Sequence, residues 1–178
     1  MPKAKNKGAV LKTVGQVKVP PFRSLTKASE LFKVNIGEGA RVKIKVIPGL
    51  DFWHYFADLD VEMLAESKLL LSELKESWFY DHDVHKALGG VENAATSLAE
   101  FWTLLTRVEQ YGRELLVNGK RNIFYIYNIQ HFLWKVVAYW KEDGWVIIFD
   151  CIDERNEAGY QGDRVFSKFV PIASQPSV

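Results

Sequence analysis

Five consecutive residues, Asp81, His82, Asp83, Val84 and His85, gather two carboxylates and two imidazoles into one string. Carboxylate oxygens and imidazole nitrogens can together ligate a divalent ion. A pair of such ions cleaves phosphodiesters by stabilising both the attacking and the leaving oxygen. Asp51, His54, Asp58 and Asp60 offer the same atom types upstream. The enzymatic reading is therefore a divalent-metal phosphodiesterase or nuclease that uses Asp81, His82, Asp83 and His85 with help from Asp51 or His54. The string has no established zinc spacing. A plainer role is also open, because Asp58 and Asp60 suit a helix N-terminus through capping and the macrodipole.

Other chemical groups are weaker. Asp150, Asp153 and Glu154 stand at and beyond the end of an apolar strand, with no lysine two residues past a carboxylate on a neighbouring strand, so a solvated strand end is expected. Cys151 follows the apolar run Trp145, Val146, Ile147, Ile148, Phe149; there a thiol is expected to stay protonated and inert, even with His131 as a partner. The segment Lys120 to Tyr127 mixes cations with aromatics as RNA-binding strands do. It lacks their glycines and ring spacing, so Phe124, Tyr125 and Tyr127 are read as core or partner-facing residues. No Gly-x-Ser-x-Gly, phosphate loop, Gly-x-Gly-x-x-Gly or Cys-x-x-Cys occurs, so no cofactor is expected and a binding protein is favoured over an enzyme.

Charge supplies the stronger functional signal. Residues 1–50 hold 11 Lys/Arg against 2 Asp/Glu, and the remainder holds 12 against 20, so a +9 segment precedes a −8 body within a chain of net charge +1. Lys3, Lys5, Lys7, Lys12, Lys18 and Arg23 lie within the first 24 residues among Gly8, Gly15 and Pro20-Pro21. Repelling charges with few apolar anchors predict a flexible basic arm over residues 1–24. Arg41, Lys43 and Lys45 continue this charge along one face of an alternating strand whose other face is Val42, Ile44 and Val46. These nine cations form the expected binding surface. Its partner is nucleic acid, whose phosphates would release counterions on contact, or an acidic protein surface, including another copy of this chain. Small proteins of phages and mobile elements are often built this way, which is an analogy only.

The elements that must position these residues follow from periodicity. Residues 25–178 are expected to form a single α+β domain, large enough to need neither metal nor disulfide for stability. Met63, Leu64, Leu70, Leu71, Leu74 and Trp78 predict an amphipathic helix from Asp58 to Trp78. Leu98, Phe101, Trp102, Leu105, Val108, Leu115 and Leu116 predict a longer one from Val91 to Val117, with Glu109 four residues before Arg113 and Asn118-Gly119 as the stop. Strands are expected over Ile123–Ile129, Phe132–Tyr139, Trp145–Ile152 and Val165–Val170, with a hairpin at Asp143-Gly144. Val137 and Tyr139 fall on one face of that hairpin and Val136, Ala138 and Trp140 on the other, so both faces should be covered. The expected fold is an antiparallel sheet mostly from the C-terminal third, packed by two main helices. Without a secretory signal or an 18-residue apolar run, a soluble cytoplasmic protein with no membrane partner is expected.

Overall fold

The computed structural model describes residues 9–47, 49–107, 114–152 and 157–170. In chain order the elements are β1 (Leu11–Val19), β2 (Thr26–Lys27), α1 (Ala28–Leu31), β3 (Ile44–Val46), α2 (Leu50–Tyr55), β4 (Asp60–Val61), β5 (Ser67–Leu74), α3 (Asp81–Ala87), α4 (Val91–Ala94), β6 (Ala95–Thr96), α5 (Leu98–Leu105), β7 (Arg121–Tyr127), β8 (Leu133–Lys141), β9 (Gly144–Cys151) and β10 (Arg164–Lys168). One eight-stranded sheet runs in the order β1-β5-β10-β7-β8-β9-β3, with β6 also paired to β7. It is mostly antiparallel; β10–β7, β3–β9 and β6–β7 are the parallel pairs. The last third supplies β7 to β10, but the sheet is not built from it only, since β1, β3, β5 and β6 come from the first two thirds.

The expected hairpin forms with Glu142 and Asp143 as its loop and Gly144 as the first residue of β9, in register from Trp134 opposite Cys151 to Lys141 opposite Gly144. Glu142 adopts φ 58° to close it, the left-handed conformation that a tight hairpin turn requires. Both faces of the sheet are covered. Phe32 at the end of α1, Phe52 of α2 with its C-cap Phe56, and Phe101 and Leu104 of α5 join Phe124, Val136, Ala138 and Ile147 on one face. On the other, Val84 of α3 and Ala94 of α4 pack with Ile123, Tyr125, Val137 and Val165. The alternation read from Val136 to Trp140 therefore has a covering layer on each side.

Three expected elements differ. Leu11 to Val19 is an edge strand paired with β5 over its whole length, from Leu11 opposite Leu74 to Val19 opposite Ser67. The register shifts between Thr13 and Gly15. A bulge of one residue swaps the faces of a strand, so Leu11 joins the α3 side while Val17 and Val19 are buried on the α5 side. These anchors replace the loose arm over that stretch; Lys3, Lys5 and Lys7 lie outside the described residues.

The segment Asp58–Trp78 contains β4 and β5 instead of a helix. Leu69 and Leu71 enter one cluster and Leu74 the other, because β5 is bonded on both edges and buried on both faces. A run of leucines satisfies helical and strand spacing equally, and pairing with β1 and β10 decides between them. The long helix from Val91 is broken into α4, β6 and α5, while Glu109 and Arg113 fall outside the described residues. Ala95-Thr96 bridges to Tyr125-Ile126, and Ser97 restarts the helix with a reciprocal capping box to Glu100. The Ser97-x-x-Glu100 signature was present in the sequence.

Candidate anion-binding site

The Asp/His string forms α3, and the helical period divides it. Asp81 and His85, one turn apart, face the sheet and are buried, while His82 is exposed. Asp83 accepts a hydrogen bond from the Tyr80 backbone N–H at 3.2 Å and so caps the helix. His82 stacks on Tyr80 with ring centroids 5.7 Å apart. Asp81 accepts from the Tyr125 hydroxyl at 2.7 Å and from Lys135 Nζ at 3.1 Å. Lys135 also donates to the Glu157 carbonyl at 2.9 Å and lies 3.6 Å from Asp150. Burial pushes the His85 imidazole below its usual pKa, against the pull of Asp81. It also drives the Tyr125 phenol well above its usual value, with Asp81 adding to the effect. This arrangement is a buried ion pair holding α3 on the sheet.

The upstream group does not meet it. Asp51 and His54 are exposed on α2, whose Phe52 packs on the opposite face of the sheet from Val84 of α3. Asp58 follows α2, and Asp60 in β4 pairs with Lys27 at 2.7 Å, so neither caps the helix expected there. Among the described residues, no three His, Cys, Asp or Glu side chains stand close enough to hold a metal ion. Phe124 and Tyr125 are fully buried and Tyr127 donates to Glu92 at 3.1 Å, so this strand displays no row of free rings. Cys151 is exposed, because β9 ends there and the strand's cover ends with it; the expectation of a thiol shielded in the apolar run does not hold. Asp153 and Glu154 lie outside the described residues.

The cations fare differently. Lys12 and Lys18 are exposed on β1, and Lys18 pairs with Glu66 at 2.7 Å. Lys45 is bound by Glu142, whose carboxylate raises the ammonium above its usual pKa, and by Asp143 at 3.4 Å. Lys43 stays exposed beside them while its backbone carbonyl accepts from Trp145 N–H at 2.8 Å. Arg23 and Arg41 come together with a residue that sequence reasoning missed, Arg107, around a cavity of about 380 Å³.

Each arginine is delivered by a different anchored segment. Phe22 is buried and exchanges both backbone hydrogen bonds with Leu64 at 2.9 Å, which fixes Arg23. Arg41 precedes the buried Val42 and Ile44 that lead into β3. Arg107 sits in the turn closing α5, its N–H bonded to the Leu104 carbonyl at 3.1 Å. There a cation is also favourable to the helix dipole. Between them the cavity is walled by Trp102, Thr103 and Thr106. Trp102 is 5% exposed and its indole N–H has no acceptor. Among the described residues no ion pair or hydrogen bond engages the three guanidinium groups. Like charges lining one recess with no ion pair among the described residues are what a bound anion would stabilise. No local pattern links positions 23, 41 and 107, so only the folded chain brings them together.

Among the described residues no helix is long and apolar enough to cross a membrane. Comparison with known proteins gives no matching family, no matching curated relative and no matching solved structure.

Proposed function

We propose that this protein is a non-enzymatic nucleic-acid-binding protein that holds phosphate groups at Arg23, Arg41 and Arg107. The single observation carrying this reading is that three arginines with no ion pair among the described residues line one cavity. A guanidinium presents a planar fork of donors that matches phosphate oxygens, and it cannot shed its charge at physiological pH. With a net charge of only +1, attraction to a polyanion must come from such a local cluster and from the basic first 50 residues, not from the molecule as a whole. Lys3, Lys5, Lys7, Lys12 and Lys43 add to the same positive region of the sequence.

The test is binding of a fluorescent oligonucleotide followed by anisotropy across a salt series. For single strands log affinity falls with log salt by about 0.7 per phosphate engaged. The triple variant Arg23→Gln/Arg41→Gln/Arg107→Gln is expected to weaken binding and to flatten the slope by about 2. An unchanged slope removes the arginines from the interface. Competition by polyglutamate as effective as that by unlabelled oligonucleotide would assign the surface to an acidic protein partner instead.

A further inference from the structure

The arginine cavity does not stand alone. Arg41 also borders a second recess of about 720 Å³, walled by Leu105, Val117, Trp140 and Trp145 and by the cation Lys43. We infer that this groove receives an unpaired base of a single-stranded nucleic acid whose phosphate lies at the arginines. The inference rests on the phosphate-binding reading above and deepens it.

Four observations carry it. Trp140 is only half-buried, yet its ring is fixed: it meets Trp145 edge to face at 5.3 Å and 84°, and its indole N–H donates to the Glu142 carbonyl at 2.9 Å. A ring already held in place stacks a base without first losing rotamer freedom. Secondly, Val117 is 44% exposed at the same recess, which leaves apolar surface on the groove wall uncovered. Thirdly, Glu38 and Asp143 border this groove and not the arginine cavity. Carboxylates repel phosphate but accept hydrogen bonds from base amino groups, so the two cavities differ in charge as the two halves of a nucleotide do. Finally, the feature is a recess. Duplex DNA is read by helices or ribbons that enter its groove, whereas unpaired bases can be splayed into pockets.

The experiment uses the full chain and compares a single-stranded oligonucleotide, a duplex of the same sequence and a mononucleotide. The single strand is expected to bind at least about tenfold more tightly than the duplex. Trp140→Leu is expected to cost the single strand about tenfold while leaving duplex affinity unchanged, in line with the loss of one stacked base. Val117→Gln, a neutral change at an exposed position, is expected to weaken the single strand and not the duplex, and it serves if Trp140→Leu fails to fold by circular dichroism. Equal affinity for strand and duplex, or full affinity in the folded variants, overturns the base groove while the arginine site stands. A mononucleotide bound as tightly as the strand overturns the strand as ligand. If none of the three probes binds, the phosphate-binding reading itself falls.

Discussion

Lys135 Nζ lies 3.1 Å from Asp81 Oδ2, and the two side chains are 5% and 1% exposed. The lysine belongs to the central strand β8 and the aspartate to α3, so a buried charge pair ties the helix to the sheet. The Tyr125 hydroxyl and the Glu157 carbonyl complete its hydrogen bonds. Removing one partner from such a pair strands the other charge in a low-dielectric setting, which costs about 3–5 kcal/mol. Lys135→Met is expected to lose that amount in urea unfolding. The double variant Lys135→Met/Asp81→Asn, which keeps an acceptor for Tyr125, is expected to recover most of it. Additive losses in the double variant would show that the two groups do not act as a pair.

His85 sets an acid limit. Its ring packs edge-on against Tyr125 at 4.4 Å, and burial lowers its pKa below the usual 6.5. The unfolded chain therefore binds the proton first as pH falls. Stability from neutral imidazole is full above the unfolded pKa of about 6.5 and is lost progressively below it. Thermal melts of wild type and His85→Phe between pH 5 and 8 are expected to diverge below that point, with the flatter profile in the variant. Parallel profiles would assign the acid sensitivity to other groups.

Gly159 is a close approach. A Cβ placed there would meet Ile123 Cδ1 at 2.8 Å and Leu74 Cδ1 and Asp163 Oδ2 at 2.9 Å. Ile123 and Leu74 are fully buried, and Asp163 is held by the N–H groups of Arg121 at 3.0 Å and Tyr160 at 2.8 Å. None of the three can move aside freely. Gly159→Ala is therefore expected to destabilise by about 1–3 kcal/mol through overpacking, read as a lower urea midpoint at constant m-value.

The arginine cluster is expected to be dispensable for folding. Because Arg23, Arg41 and Arg107 have no partner among the described residues, the triple glutamine variant removes repulsion and breaks no described hydrogen bond. Its stability is expected to stay within about 0.5 kcal/mol of wild type or to rise. A loss of several kcal/mol would mean that the guanidinium groups hold the fold together instead of awaiting an anion.

Local chemistry was legible wherever one residue pair decides the backbone. Asp143-Gly144 placed the hairpin, and the alternation from Val136 to Trp140 announced a sheet covered on both faces. The Ser97-x-x-Glu100 box that starts α5 is equally local, yet the apolar spacing across it predicts one continuous helix and hides the break. The spacing of Asp81 and His85 suggests metal ligands, yet the partners of Asp81, Tyr125 and Lys135, lie 44 and 54 residues from it. A string of metal-like ligands became a buried ion pair because the helical turn sent His82 and Asp83 away from it.

By itself the sequence determined that helices and strands mix, that β8 and β9 form a hairpin, and that positive charge concentrates in the first 50 residues. Tertiary structure alone decided that Ser67–Leu74 is a strand and Leu11–Val19 its partner, since leucine spacing and scattered lysines leave the period open until neighbouring backbones supply hydrogen bonds. It also decided which cations share a cavity. Like charges repel, so nothing in the local chain favours gathering Arg23, Arg41 and Arg107. Their convergence is imposed by the buried Phe22, Val42 and Leu105 beside them, whose apolar burial outweighs that repulsion.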